Sequence, residues 1–185
     1  MQKKQNALSR RTVTSGLAWS VPAVAAVSTA PFAAASPVVC PKVKVIGEAV
    51  KFPGNSHGGG IRQAYGFDIV VTNNTELPVR ITPGTAKVNF KRFGERTGEA
   101  RLYDKSPCNA DATLLEAGSS LLALEPGQST PLFYLVNNTG NSANEAGCIT
   151  STLKVEIVGA AAADTEVCDT IFLPERCFDE TPPTC

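Results

Sequence analysis

The stretch Ile149-Thr150-Ser151-Thr152-Leu153-Lys154-Val155-Glu156-Ile157-Val158 decides the fold. Ile149, Leu153, Val155 and Ile157 fall on one side, and Thr150, Thr152, Lys154 and Glu156 on the other. Successive side chains of an extended chain point to opposite faces, so this period of two means a strand with one buried face. The period recurs upstream. Lys42-Val43-Lys44-Val45 alternates, Tyr65, Phe67, Ile69 and Val71 share a face within 62–72, and Ala86, Val88 and Phe90 oppose Lys87, Asn89 and Lys91 within 85–93. Shorter strands are expected over 77–82, 120–124, 129–136 and 165–173. Pro83-Gly84 and Glu125-Pro126-Gly127-Gln128 read as turns, because proline presets φ and glycine admits positive φ. Only 111–117 suits a helical turn. About 7–9 short strands separated by turn residues predict an all-β fold, an antiparallel β-sandwich over 36–173, with 174–185 as a disulfide-linked C-terminal tail.

The charge is divided unevenly. The chain has 185 residues, with 17 Lys and Arg balancing 17 Asp and Glu. Lys3, Lys4, Arg10 and Arg11 are the only charges in the first 35 residues. Without those four cations, 13 basic and 17 acidic residues leave the rest of the chain at −4. That balance speaks against a nucleic-acid binder. From Thr12 to Pro41 no charge appears, and the apolar run closes on Ala33-Ala34-Ala35. A positive start, an apolar stretch and a small-residue end describe a signal peptide over 1–35, cleaved after Ala35. A retained anchor is the weaker reading. The run is rich in Ala, Ser and Thr, and Pro22 and Pro31 interrupt it. Ser9-Arg10-Arg11-Thr12-Val13 resembles the twin-arginine export motif, although the pattern usually continues Phe-Leu-Lys and here reads Val13-Thr14-Ser15. With Gly16-Leu17-Ala18-Trp19-Ser20-Val21-Pro22, the leader is similar to those of exported actinobacterial surface proteins.

All six cysteines follow the leader: Cys40, Cys108, Cys148, Cys168, Cys177 and Cys185. An even count in an exported chain implies three disulfides, with 15 possible connectivities. The pairing expected is Cys40–Cys168, Cys108–Cys148 and Cys177–Cys185, in which the first ties the opening strand to the closing one. No C-x-x-C occurs and His57 is the sole histidine, so neither structural zinc nor a redox pair is expected.

Phe67-Asp68-Ile69-Val70-Val71-Thr72-Asn73-Asn74, Leu124-Glu125-Pro126-Gly127-Gln128-Ser129, and 132–136 followed by Asn137-Asn138 resemble the immunoglobulin-like modules of bacterial surface proteins. The antibody type is excluded, since no Trp follows the leader and 62–72 has no Cys. The resemblance implies an architecture and no single activity. Two stretches end in Asn-Asn-Thr, at 73–75 and 137–139, where Asn suits the turn after a strand.

The search for chemistry returns little. His57 lies among Pro53, Gly54, Gly58, Gly59 and Gly60, which reads as a flexible hairpin tip. Asp68, Glu95 and Asp104 are carboxylates of the kind that glycoside hydrolysis needs, but on a sandwich surface they read as solvated charges. The segment 91–105 is dense in charge and aromatics, and its candidate contact residues are Phe93, Arg96, Arg101 and Tyr103. Tyr65 and Tyr134 are assigned to the core. The expectation is a secreted or envelope-associated, non-catalytic protein of adhesion, assembly or envelope structure. It needs no cofactor or metal, and its partner is an extracellular protein or glycan. A carbohydrate-binding module is the alternative, and a small secreted hydrolase the third.

Overall fold

In the computed structural model the deciding stretch, all but Val158, lies within a long strand of a nine-stranded antiparallel sheet. Residues 38–54, 57–140, 144–159, 167–180 and 185 are described, all within one compact unit, Ser36–Cys185. The export leader, with Arg10, Arg11 and the cleavage point after Ala35, lies outside them. The strands are β1 Lys42–Lys51, β2 Tyr65–Thr72, β3 Val79–Phe90, β4 Gly94–Tyr103, β5 Ala123–Leu124, β6 Ser129–Asn137, β7 Gly147–Ile157, β8 Thr170–Phe172 and β9 Arg176–Phe178. A 3₁₀ turn, Ser120–Leu122, occupies most of the strand expected at 120–124. The helical turn expected at 111–117 is absent; Leu114 there bridges to Tyr103.

The order is β1-β2-β6-β4-β3-β7-β8, with β5 on β3 and β9 on β7. β4 joins the two wings by changing partner. Its residues 94–98 pair with β3, and 99–103 pair with β6. Gly98 sits at the handover, where a Cβ would lie 2.8 Å from the Asn137 carbonyl. The sheet curls, so both wings pack on one core containing Phe67, Ile69, Tyr134, Val88, Ile149 and Leu153. The Tyr134 hydroxyl crosses that core and donates to the Thr85 and Thr152 carbonyls, 3.2 and 3.1 Å away. Tyr65 and Tyr134 are both core residues, and burial pushes the Tyr65 phenol up to about 12.

Several expectations need correction. Pro83-Gly84 is no turn. β3 runs through it with a register shift between Pro83 and Ala86. Proline has no N–H for the ladder and is tolerated at a bulge. Gly84 lets the Thr152 carbonyl approach to 2.9 Å of where a Cβ would stand. Ile157 is exposed, although its partner across the ladder, Val79, is a core residue. The 174–185 segment is more than a tail: β9 extends the sheet and Phe178 stacks on Tyr65 at 4.5 Å.

β6 is buried on both faces. Leu132, Tyr134 and Val136 point into the main core, while Phe133 and Leu135 build a second cluster with Tyr103, Phe52, Ile61 and Ala64. The single solvated face expected of each strand therefore fails here, since the loop over 52–64 covers the outer side.

The cysteines pair as Cys40–Cys168, Cys108–Cys185 and Cys148–Cys177. The first matches expectation. The other two do not, because β9 sets Cys177 opposite Cys148 in the ladder. That leaves Cys185 to Cys108, with Cα atoms 5.2 Å apart. Three bridges belong to an oxidising compartment. Peptide mapping without reductant should return these three pairs, and a Cys177–Cys185 peptide would contradict the fold of β9.

The Asn-Asn-Thr segments do more than turn the chain. Asn73 is fully buried. Its Nδ2 donates to the Leu77 and Leu124 carbonyls at 2.8 and 2.9 Å, and its Oδ1 accepts from the Thr75 N–H and hydroxyl at 3.0 and 2.7 Å. Asn137 repeats the device. Its Oδ1 accepts from the Arg62 N–H at 2.8 Å and its Nδ2 donates to the Gly60 carbonyl, while Thr139 donates to the Gln63 carbonyl. Each group gives irregular backbone the partners that burial demands.

Candidate functional site

The four contact residues expected in 91–105 do not converge. Phe93 lies in the β3–β4 turn and is 53% exposed. The buried Glu145 carboxylate holds that turn, accepting from the Arg92 and Phe93 N–H groups. Arg96 is exposed on the β3 side of β4. Arg101 lies beyond Gly98 on the other wing, paired two-handed to Glu99 at 3.0 and 2.9 Å. Those bonds hold the Glu99 carboxyl below its ordinary range. Tyr103 is largely buried in the outer cluster, within reach of the Arg101 side chain, and shows only a small surface to the cavity beside His57. The change of partner at Gly98 separates residues that lie close in sequence.

Of the candidate carboxylates, Glu95 stands apart from Asp68 and Asp104. Glu95 is held by Lys87 at 2.8 Å. Asp68 and Asp104 share a groove of about 310 Å³ with Ile46, Lys105 and Pro131. Asp104 accepts from the Thr113 N–H at 2.7 Å, and Lys105 pairs with Asp111. Asp68 is exposed, and partial desolvation of its carboxyl in the groove raises its pKa. A raised acid favours folding when protonated, and that contribution fades as pH rises through the folded value. Asp68→Asn should therefore melt with the parent in acid and above it near neutrality. Equal melting at both pH values would mean that the groove leaves the Asp68 carboxyl fully solvated.

The most exposed large apolar residue among those described is Phe172 of β8, at 81%. Leu173 beside it is buried, so the period of two turns Phe172 outward. It borders a depression of about 250 Å³ with Thr85, Lys87, Thr150, Ser151 and Thr152. The Thr85 and Thr152 hydroxyls lie 3.1 Å apart. The result is an aromatic ring standing beside a hydroxyl-lined sheet face. Sequence reading placed a strand here and overlooked the outward ring, although the buried Leu173 assigns it.

His57 is not a free loop tip. Its Nε2 lies 3.0 Å from the Pro107 carbonyl, and its ring meets Phe52 edge-on at 5.1 Å. It lines a cavity of about 500 Å³ between the loops 52–64 and 104–119. Ligand atoms of Cys148, Glu175 and Cys177 come within 4.8 Å of one another, but the two sulfurs are joined in a bridge and are not thiolates free to hold a metal. Among the described residues no helix is long and apolar enough to cross a membrane.

No protein-family model matches the chain, and no curated protein matches it. Among solved structures, it is similar to AvmM, described as catalysing macrocyclization in alchivemycin A biosynthesis, at a TM-score of 0.32 and 15% identity, covering 78% of this chain and 91% of that one.

Proposed function

We propose that the protein is exported, remains secreted or at the cell envelope, and works without catalysis, by surface contact in adhesion, assembly or envelope structure. The two wings of the curled sheet act as the layers of an immunoglobulin-like sandwich. The leader with Arg10 and Arg11 directs export, and the three disulfides suit the outside of the cell. The observation that carries the reading is Phe172. An aromatic ring 81% exposed on a sheet face, beside a row of hydroxyls, offers a large flat area for contact. The partner is an extracellular protein or glycan.

Glycan is the second reading, favoured by the threonine hydroxyls beside the ring. A sugar presents an apolar C–H face to stack and hydroxyls to bond. The test is binding of the oxidised protein to immobilised envelope proteins, cell-wall fragments and glycans. Phe172→Ser should abolish capture while changing stability by no more than about 0.5 kcal/mol. Capture that ignores this substitution would remove Phe172 from the function. Retention of the protein in the cytoplasm of its own host would overturn the export reading.

A further inference from the structure

The cavity beside His57 has the dimensions and lining of a small-molecule site, and it lies apart from the Phe172 face. Its floor comes from the outer cluster through Ile61 and Tyr103. One wall is His57 with Gly58 and Gly59, and the other is the 107–114 loop. That loop is held from within and without. Asp104 and Thr113 bond reciprocally, the Ala112 N–H donates to the Asn109 carbonyl at 3.1 Å, and Cys108 is bridged to Cys185. The walls are thus fixed in advance, which lowers the ordering cost of binding. A volume of about 500 Å³ falls in the range of sites for small ligands.

The lining sets the chemistry. Ile61, Pro107, Ala112 and Leu114 offer apolar surface, and Leu114 is 42% exposed. His57 supplies the directional group. A carbonyl only accepts, so Nε2 must donate to Pro107, and the neutral ring then keeps its lone pair on Nδ1. The Phe52 contact fixes the plane of the ring. We propose that this cavity binds a small planar apolar molecule carrying one N–H or O–H, with the body on Leu114 and Ile61 and the donor on His57.

Indole is the probe, and naphthalene, of similar shape without a donor, is its control. Calorimetry on the oxidised protein should show saturable indole binding, with naphthalene about tenfold weaker, the equivalent of about 1.4 kcal/mol. His57→Phe should remove that difference by weakening indole alone. Leu114→Trp, at an exposed position, should block both, and Phe172→Ser should change neither. Melting curves confirm that each variant is folded. The proposal is overturned if indole does not saturate, if naphthalene binds as well as indole, or if indole affinity is unchanged by Leu114→Trp. Glycan capture by the same samples tests the Phe172 reading separately.

Discussion

Asn73→Ala should lower stability by about 3 kcal/mol. The amide is fully buried and makes four hydrogen bonds. Truncation leaves two carbonyls and one N–H without that partner, in a place closed to bulk water. The Leu77 carbonyl keeps the Thr75 hydroxyl at 2.9 Å, so the Leu124 carbonyl and the Thr75 N–H carry the loss, at about 1–3 kcal/mol each. Asn73→Asp should be worse. It sets a second oxygen, in place of Nδ2, against the Leu77 and Leu124 carbonyls. Asn74→Ala, one residue away and exposed, should stay within about 0.5 kcal/mol. Urea unfolding of the oxidised variants, read at the midpoint with an unchanged slope, measures all three. A loss below about 1 kcal/mol for Asn73→Ala would mean that the network is idle.

Phe133→Ala should cost about 3–5 kcal/mol, as much as a deletion in the main core. Phe133 is fully buried on the outer side of β6, packed edge-on against Phe52 at 6.0 Å. The loop over 52–64 relies on this cluster, with the Phe52 N–H donating to the Ala64 carbonyl at 3.0 Å beside it. Truncation removes an aromatic side chain that the anchored loop cannot replace by collapse. Phe67→Ala, on the inner side and stacked on Tyr134 at 5.7 Å, is the reference. If Phe133→Ala costs less than a third of Phe67→Ala, the outer cluster is a rim and not a second core. Hydrogen exchange should then show the 52–64 backbone opening freely in the parent as well.

Alternation made most of the strands legible. β1, β2, β7 and the second half of β3 carry apolar residues at every other position, and a core face follows from that alone. The pairing of Cys40 with Cys168 was legible too, as a link between the segments that lead into β1 and β8. The outer cluster left a trace in Leu132-Phe133-Tyr134-Leu135-Val136. Five apolar residues in succession mark burial on both faces, a signal lost when one face is assumed to meet water. The handover in β4 left none. Gly98 is one glycine among 15, and only the approach of Asn137 and Val136 gives it meaning. That is why the contact residues of 91–105 read as one patch, while Phe93 and Arg96 lie on a different wing from Arg101 and Tyr103. The remaining cysteine pairs depended on β9, a three-residue strand too short for periodicity to reveal. The cavity beside His57 is built from two loops far apart in sequence, and no local pattern joins them.

The burial of Asn73 and Asn137 also decides how the protein can be produced. Asn73-Asn74-Thr75 and Asn137-Asn138-Thr139 are both acceptor sequences for N-linked oligosaccharide. A host that glycosylates nascent chains meets these asparagines before they are enclosed. The amide nitrogen that carries the sugar is the Nδ2 that bonds two carbonyls in each folded segment's place, or one in the case of Asn137. A glycosylated chain would have to fold with that atom outside, and the sheet has no room for the sugar where exposure is 0% and 2%. Secretion from yeast or mammalian cells should yield aggregated or retained material. A bacterial periplasm, which is oxidising and adds no such sugar by default, should yield the folded protein.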